Sequence, residues 1–203
     1  MAVPANITET NRYGYGRKPA GYTQQARLSR TKPEEKTALE KPMKKYPLKI
    51  ISGGQTGADR AALDAAMDLG IDYGGSLPKG RKAEDGPLGT KYEKLNELES
   101  ADYTVRTEKN VVDSDGTLIF TKGTPSGGTG LTVKYALKHR KPFLFVDFNK
   151  DSPDQAADKI RAWLDSAEPR ILNVAGPRES LSPGMYSNVL YVMKRCIEKL
   201  KCS

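Results

Sequence analysis

The chain reads Leu48-Lys49-Ile50-Ile51-Ser52-Gly53-Gly54-Gln55-Thr56-Gly57 at the point that decides its fold. The run up to Ser52 is β-prone, and the glycines after it form a turn. The alanine-rich segment 58–69 follows and is closed by Gly70, which predicts a helix with a glycine cap. Strand, glycine turn and helix in this order are typical of one unit of a parallel α/β sheet.

The same pattern returns further along the chain. Strands that alternate with helices predict a parallel sheet covered on both faces, with right-handed crossovers. The expected fold class is therefore α/β, a Rossmann-like three-layer α/β/α sandwich with a mainly parallel sheet. The remaining predicted elements are a strand at 117–121, a glycine turn at 123–130, a helix at 131–139, a strand at 142–148, a helix from Ser152-Pro153, a strand at 170–174, a loop at 175–180 and a last helix from Ser182-Pro183.

Composition excludes several classes of protein. The chain has 203 residues, with 33 Lys or Arg, 25 Asp or Glu, one His and two Cys. No apolar run approaches the roughly 18 residues of a membrane helix, and the N-terminus lacks the apolar core of a secretory signal, so a cytoplasmic protein without membrane contact is expected. Cys196 and Cys202 lack the spacing of a zinc site, and His139 is a single histidine, which disfavours most hydrolase triads. No metal site built from side chains of the protein is predicted.

The positive charge is concentrated at the N-terminus. Residues 1–47 carry ten Lys or Arg and four Glu, a net charge of +6, whereas the remaining 156 residues carry 23 and 21. This segment is rich in proline and poor in Val, Ile and Leu, so it is expected to be a basic, disordered extension, with the folded domain spanning 48–203. Tyrosines among basic residues can stack on single-stranded nucleic acid, but a solvated extension is the favoured interpretation.

The three glycine-bearing turns predict a binding site for an anion. Every strand-to-helix turn of a parallel sheet lies at its carboxyl edge, where such folds bind ligands. Backbone amides that no side chain shields, at the start of a helix, suit a phosphate, although a tight turn that serves only helix packing has the same sequence. Threonine hydroxyls and an arginine add further donors. The predicted ligand contacts in these turns are Gly53, Gly54, Gln55, Thr56, Gly57, Asp59, Arg60, Gly127, Gly128, Thr129, Gly130, Thr132, Gly176, Arg178 and Ser180.

A polar stretch between the first helix and the next predicted strand, residues 74–86, is too glycine-rich and charged to be core. It is expected either to fold over the ligand as a lid or to be a solvated surface loop. As a lid, it would offer Lys79 and Arg81 as cations, and Glu84 and Asp85 as acceptors for the donors of a heterocyclic ring.

Several motifs in order carry a resemblance to a known family. They lie at residues 51–64, 78–86, 106–111, 114–119, 127–129 and 173–180. Together they resemble the putative molybdenum carrier family, which is related to circularly permuted YpsA proteins within the Rossmann-like group of DprA and LOG proteins. The resemblance covers about residues 48–198. It implies a nucleotide- or cofactor-binding domain, assembled as a homo-oligomer, with molybdenum cofactor (molybdopterin) as the expected ligand and a nucleotide as the alternative.

The relatives also imply an enzymatic alternative, because LOG proteins cleave the N-glycosidic bond of nucleoside monophosphates with a PGGxGTxxE motif. The corresponding stretch here is 126–134, in which the catalytic Glu is missing and Lys134 lies near its place. Binding is therefore favoured over hydrolysis, although Glu84 or Asp85 would be the acid if the protein were a glycosidase. A nucleotide-sensing module is a third hypothesis. If the glycine turns hold the ligand, valine at Gly54 or Gly128 should block its approach.

Overall fold

The computed structural model describes residues 49–201, so the predicted basic extension over 1–47 lies outside the described residues. The strands and helices predicted from the sequence are present, together with a short 3₁₀ turn at Thr90–Tyr92 and with short strands and one helix between residues 72 and 112 that were not predicted. In chain order they are β1 Lys49–Ser52, α1 Ala58–Asp68, β2 Asp72–Gly74, β3 Ser76–Leu77, β4 Lys82–Ala83, β5 Gly86–Pro87, β6 Asn96–Glu97, α2 Tyr103–Val112, β7 Gly116–Thr121, α3 Gly127–Lys138, β8 Phe143–Asp147, α4 Pro153–Ala167, β9 Ile171–Ala175 and α5 Met185–Lys201.

Five strands form one parallel sheet in the order β2-β1-β9-β7-β8. In β9, Asn173 lies beside Ile51 of β1 on one side and Thr117 of β7 on the other. Because β9 is inserted between β1 and β7, the carboxyl ends of these three strands are neighbours, and the turns that follow them converge. This is a Rossmann-like α/β fold, as predicted.

The two faces of the sheet are covered differently. Ile50, Leu118 and Leu172 belong to the main hydrophobic core, which they share with apolar residues of α1, α4 and α5. The alternate residue Ile119 is buried outside that cluster, on the side where α2 and α3 pack together. On the same side Asn173 donates a hydrogen bond of 3.3 Å to the Thr117 hydroxyl. No helix within residues 49–201 combines the length and the apolar character that crossing a membrane requires.

The helix boundaries confirm some local predictions and correct others. Ser152 caps α4 with Pro153 at its first position, and Gln155 completes a capping box. Helix α3 begins at Gly127 rather than at Leu131, so the glycines predicted as a turn form its first residues. Helix α2 was not predicted, because much of its surface is polar.

A buried carboxylate fastens α1 to its surroundings. Asp64 accepts hydrogen bonds from the hydroxyls of Tyr92, at 3.0 Å, and Tyr186, at 2.6 Å, and from Lys91 Nζ at 2.8 Å. Burial and the hydrogen bond to Asp64 raise the pKa of Tyr186 to about 12. Asp64 therefore links α1, the 3₁₀ turn and α5.

Replacing Asp64 with Ala is expected to lower the free energy of unfolding by about 3 kcal/mol, because two tyrosine hydroxyls lose their acceptor in a buried site. The control is Lys91→Met, which should cost less than about 1 kcal/mol since the Lys91 side chain is 62 % exposed. Urea unfolding of both variants measures the difference. Equal, small losses in the two variants would contradict the role given to Asp64.

Candidate ligand-binding site

A cavity of about 370 Å³ lies at the carboxyl edge of the sheet, where β1, β7 and β9 end. We call it the edge cavity. Its volume suits a ligand of nucleotide size. The structure brings seven of the predicted contacts to its wall: Gln55, Asp59, Gly128, Thr129, Thr132, Gly176 and Arg178.

The start of helix α3 opens onto the edge cavity. Ser126 is the N-cap residue, and its side chain makes no capping hydrogen bond to the helix. Ser126, Gly128 and Thr129 all line the cavity, and a Cβ built on Gly128 would have no atom within 4 Å. The first N–H groups of a helix carry the positive end of its dipole, so this corner of the cavity suits an anion.

Two arginines flank one tyrosine in the wall of the cavity. The guanidinium carbon of Arg178 lies 5.6 Å from the centre of the Tyr103 ring, and that of Arg106 lies 5.8 Å from it. All three residues line the edge cavity. Such cation–π contacts hold the guanidinium groups in place while leaving their N–H donors available to a ligand. Tyr103 and Arg106 are wall residues that the glycine turns do not predict, although Arg106 begins one of the quoted motifs.

A buried ion pair lies deeper in the cavity. Arg106 Nη1 is 3.3 Å from Asp59 Oδ2, and the two side chains are 12 % and 6 % exposed. Burial raises the pKa of Asp59 above its usual value of 3.8, although the Arg106 charge and a hydrogen bond from the Gln55 amide oppose the shift. A Cβ on Gly53 would lie 1.6 Å from Arg106 Nη1, so the missing side chain makes room for the guanidinium. Gly53 lines a second, much smaller cavity behind this pair.

Gln55 contributes a donor that the protein itself leaves unused. Its Oε1 accepts hydrogen bonds from the backbone N–H of Thr56, at 3.1 Å, and of Glu84, at 2.8 Å. Its Nε2 is buried and has no hydrogen-bond partner among residues 49–201. Gln55 lines the edge cavity and is only 5 % exposed. An unpaired buried donor is costly, so a ligand that accepts from Nε2 would be favoured.

The first glycine turn serves internal packing more than the prediction assumed. A Cβ on Gly54, whose φ is +71°, would lie 2.7 Å from a methyl group of the core residue Leu77, and one on Gly57 would lie 2.4 Å from the carbonyl oxygen of Pro177. The amide of Ala58 donates to that same carbonyl at 3.3 Å. Gly54 therefore packs closely against the core, and valine there would disturb core packing rather than test ligand approach alone.

The stretch 74–86 is held to the protein by its acidic residues. The Glu84 carboxylate accepts hydrogen bonds from the hydroxyls of Thr56 and Ser180 and from the Ser180 amide, an arrangement we call the Glu84 clasp. Asp85 forms two bonds with Arg60, at 2.5 and 2.9 Å. These acids fasten neighbouring turns and do not line the edge cavity.

The two predicted cations of this stretch lie elsewhere as well. Arg81 donates to the carbonyl oxygens of Leu88, at 2.9 Å, and Tyr92, at 3.0 Å, and Lys79 pairs with Glu99 at 3.6 Å on the surface. Neither lines the edge cavity. The structure also leaves Gly127, Gly130, Thr56, Arg60 and Ser180 outside its wall. In this conformation, residues 74–86 do not cover the cavity as a lid.

The Glu84 clasp predicts a pH dependence. Desolvation disfavours the Glu84 charge, but hydrogen bonds from Ser180 and Thr56 outweigh it and hold the pKa of Glu84 below its usual value of 4.5. A lowered pKa adds stability that is present above pH 4.5 and is lost as the pH falls through the lowered value. NMR titration of the Glu84 carboxyl should thus give a pKa below 4.5, and the stability difference from Glu84→Gln should vanish in acid. A pKa at or above 4.5 would contradict the clasp.

Comparison with known proteins assigns most of the described residues to a family. The model of the circularly permutated YpsA SLOG family matches residues 50–197, a range that contains every residue of the edge cavity. The crystal structure of a putative molybdenum carrier protein from Syntrophus aciditrophicus SB is similar, with a TM-score of 0.72 and 46 % sequence identity over 74 % of this chain and 95 % of that chain. No curated protein matches the chain at a significant level.

Proposed function

The chain belongs to the circularly permutated YpsA SLOG family, and from that premise we propose that it binds a phosphorylated heterocycle in the edge cavity, with molybdenum cofactor as the leading ligand and a nucleotide as the alternative. One observation carries the proposal: the start of α3, which no side chain caps, Arg178, and Gln55, whose Nε2 has no partner within residues 49–201, all belong to the wall of one cavity. The similar crystal structure of a putative molybdenum carrier protein supports the choice of cofactor.

The phosphate end of such a ligand belongs at α3. The N–H groups of the first helical turn and the dipole of α3 attract an anion, and Arg178 adds a charged donor from the turn after β9. Lys122 also lines the cavity, but its Nζ donates to the carbonyl oxygen of Pro183 at 2.6 Å. Arg178 is therefore the cation we assign to the phosphate.

The heterocyclic end belongs at Gln55 and Asp59, which offer one donor and one acceptor. Among residues 49–201, no three His, Cys, Asp or Glu side chains are grouped to hold a metal ion. The donors of Gln55, Arg178 and the start of α3 and the carboxylate of Asp59 suit the pterin and phosphate of molybdenum cofactor. When bound, the cofactor supplies a molybdenum held by its own sulfur atoms, which needs no ligand from the protein.

A carrier role fits the cavity better than glycoside cleavage. Glu84 and Asp85, the acids proposed for an enzyme, are engaged with neighbouring turns outside the cavity. Lys134 is exposed on α3, near the place of the LOG glutamate. Asp59 is the acidic residue of the wall, and it is paired with Arg106. We therefore propose binding without turnover; the homo-oligomer and the cytoplasmic location stay predictions.

Replacing Gly128 with Val should weaken binding of AMP, GMP and molybdenum cofactor, because its side chain would fill the anion corner. Isothermal titration calorimetry measures the loss, and more than tenfold weaker binding is expected. Gly89→Val is the matched control, since a Cβ at Gly89 also meets nothing within 4 Å and its φ is an ordinary −65°, yet it lies outside the cavity wall. Unchanged binding in Gly128→Val would place the phosphate elsewhere.

Arg178→Ala should weaken the same ligands by roughly ten- to a hundredfold, the range for losing a charged hydrogen bond. The loss should shrink as salt is added, because the interaction is electrostatic. Arg178→Lys should restore affinity in part, since the charge returns without the planar fork. Equal affinity of Arg178→Ala and the unaltered protein at low salt would remove this residue from the site.

A further inference from the structure

The orientation of the Gln55 side-chain amide is determined by its surroundings. Two backbone N–H groups, of Thr56 and Glu84, point at one end of the amide, and only an oxygen can accept from both. The other end is therefore nitrogen, and it presents two N–H donors without a partner in the described part of the chain. Gln55 therefore carries a buried, unpaired donor at Nε2, and the residue itself lines the edge cavity.

Asp59 places an acceptor beside this donor. The backbone N–H of Gln55 donates to Asp59 Oδ2 at 3.4 Å, so the two residues are in direct contact, and both line the edge cavity. Arg106 Nη1 reaches the same oxygen at 3.3 Å. Both distances are longer than the usual 2.7–3.2 Å for N–H···O bonds, and a carboxylate accepts about four hydrogen bonds. The carboxylate therefore keeps acceptor capacity for a ligand.

We propose that Gln55 and Asp59 select a ring with a 2-amino-4-oxopyrimidine edge, the edge that guanine and pterins share. This inference rests on the proposed function and names the heterocycle of the same site. Such an edge presents a carbonyl oxygen, then a ring N–H, then an exocyclic amino group. The Gln55 amide donates to the carbonyl, and the Asp59 carboxylate accepts from the N–H and the amino group.

An adenine ring does not fit this pair. Its corresponding edge presents an amino donor followed by a ring nitrogen acceptor, so donor would face donor at Gln55 and acceptor would face the Asp59 carboxylate. The mismatched groups would stay unpaired in a buried site, which is how a polar site rejects an analogue of similar shape. Arg106 Nη1, 3.3 Å from the Asp59 carboxylate, favours the ionised, accepting form and so opposes burial, which raises the pKa of Asp59.

Isothermal titration calorimetry with four diphosphates that differ in their ring tests this ring selection. GDP and 6-hydroxymethyl-7,8-dihydropterin diphosphate carry the full edge, IDP lacks the amino group, and ADP presents the opposite pattern. We expect the first two to bind at least tenfold tighter than ADP, with IDP between. The tighter of the first two then identifies the source of the ring.

Two isosteric variants separate the effect of Gln55 and Asp59 on ring selection from any effect on folding. Asp59→Asn should abolish the preference for GDP over ADP, and Gln55→Glu should weaken GDP most, because a second carboxylate would face the carbonyl while still accepting from Thr56 and Glu84. Thermal unfolding checks that each variant is folded. Gly128→Val, by contrast, should weaken all four ligands alike, since it acts on the phosphate.

The outcomes separate this inference from the proposed function. Equal affinity of unaltered protein for GDP and ADP, both lost in Gly128→Val, would overturn the ring selection and leave the phosphate site standing. A GDP preference that persists in both isosteric variants would overturn the assignment to Gln55 and Asp59. No binding of any of the four diphosphates would overturn both.

Discussion

The insertion of β9 between β1 and β7 is the constraint on which the site depends. Parallel pairing on both sides of β9 forces three strands that are distant in sequence to end side by side. Their following turns, 53–57, 122–126 and 176–184, then surround one space. In a parallel sheet all these turns lie at the same edge, so the start of α3 and the turn that contains Gln55 line a common cavity.

Polar contacts connect the turns at the carboxyl edge of the sheet. The Glu84 clasp joins the turn after β1 to the turn after β9, and Gln55 joins the same turn to residue 84. Beneath them the Asp59–Arg106 pair links α1 to α2 in a buried setting. Burying such a pair costs desolvation that its attraction barely offsets, so it contributes little net stability. The pair instead fixes the positions of the Asp59 carboxylate and the Arg106 guanidinium beside the cavity.

Much of the fold could be predicted from residue patterns, because strand, glycine turn and helix recur with clear boundaries. The position of Gly128 and Arg178 in the wall of the edge cavity could be predicted as well, since a helix start in a parallel sheet must lie at the carboxyl edge. The packing role of Gly54 could not be predicted, because a side chain there would meet Leu77, Leu88 and Leu95, which come from a later part of the chain. Arg106 and Tyr103 were missed because Arg106 meets Asp59 across 47 residues of sequence, and because the buried residues of α2 include the polar Thr107 and Asn110.

The most direct measurement is a nitrogen–proton NMR titration of the protein with GDP. We expect the backbone signals of Gly128 and Thr129 and the side-chain Nε2 signal of Gln55 to shift together with a single dissociation constant, because one ligand spans both ends of the edge cavity. Shifts confined to another surface, such as the open cavity lined by Lys150 and Lys159 at the end of β8, with Gln55 and Gly128 unmoved, would contradict it.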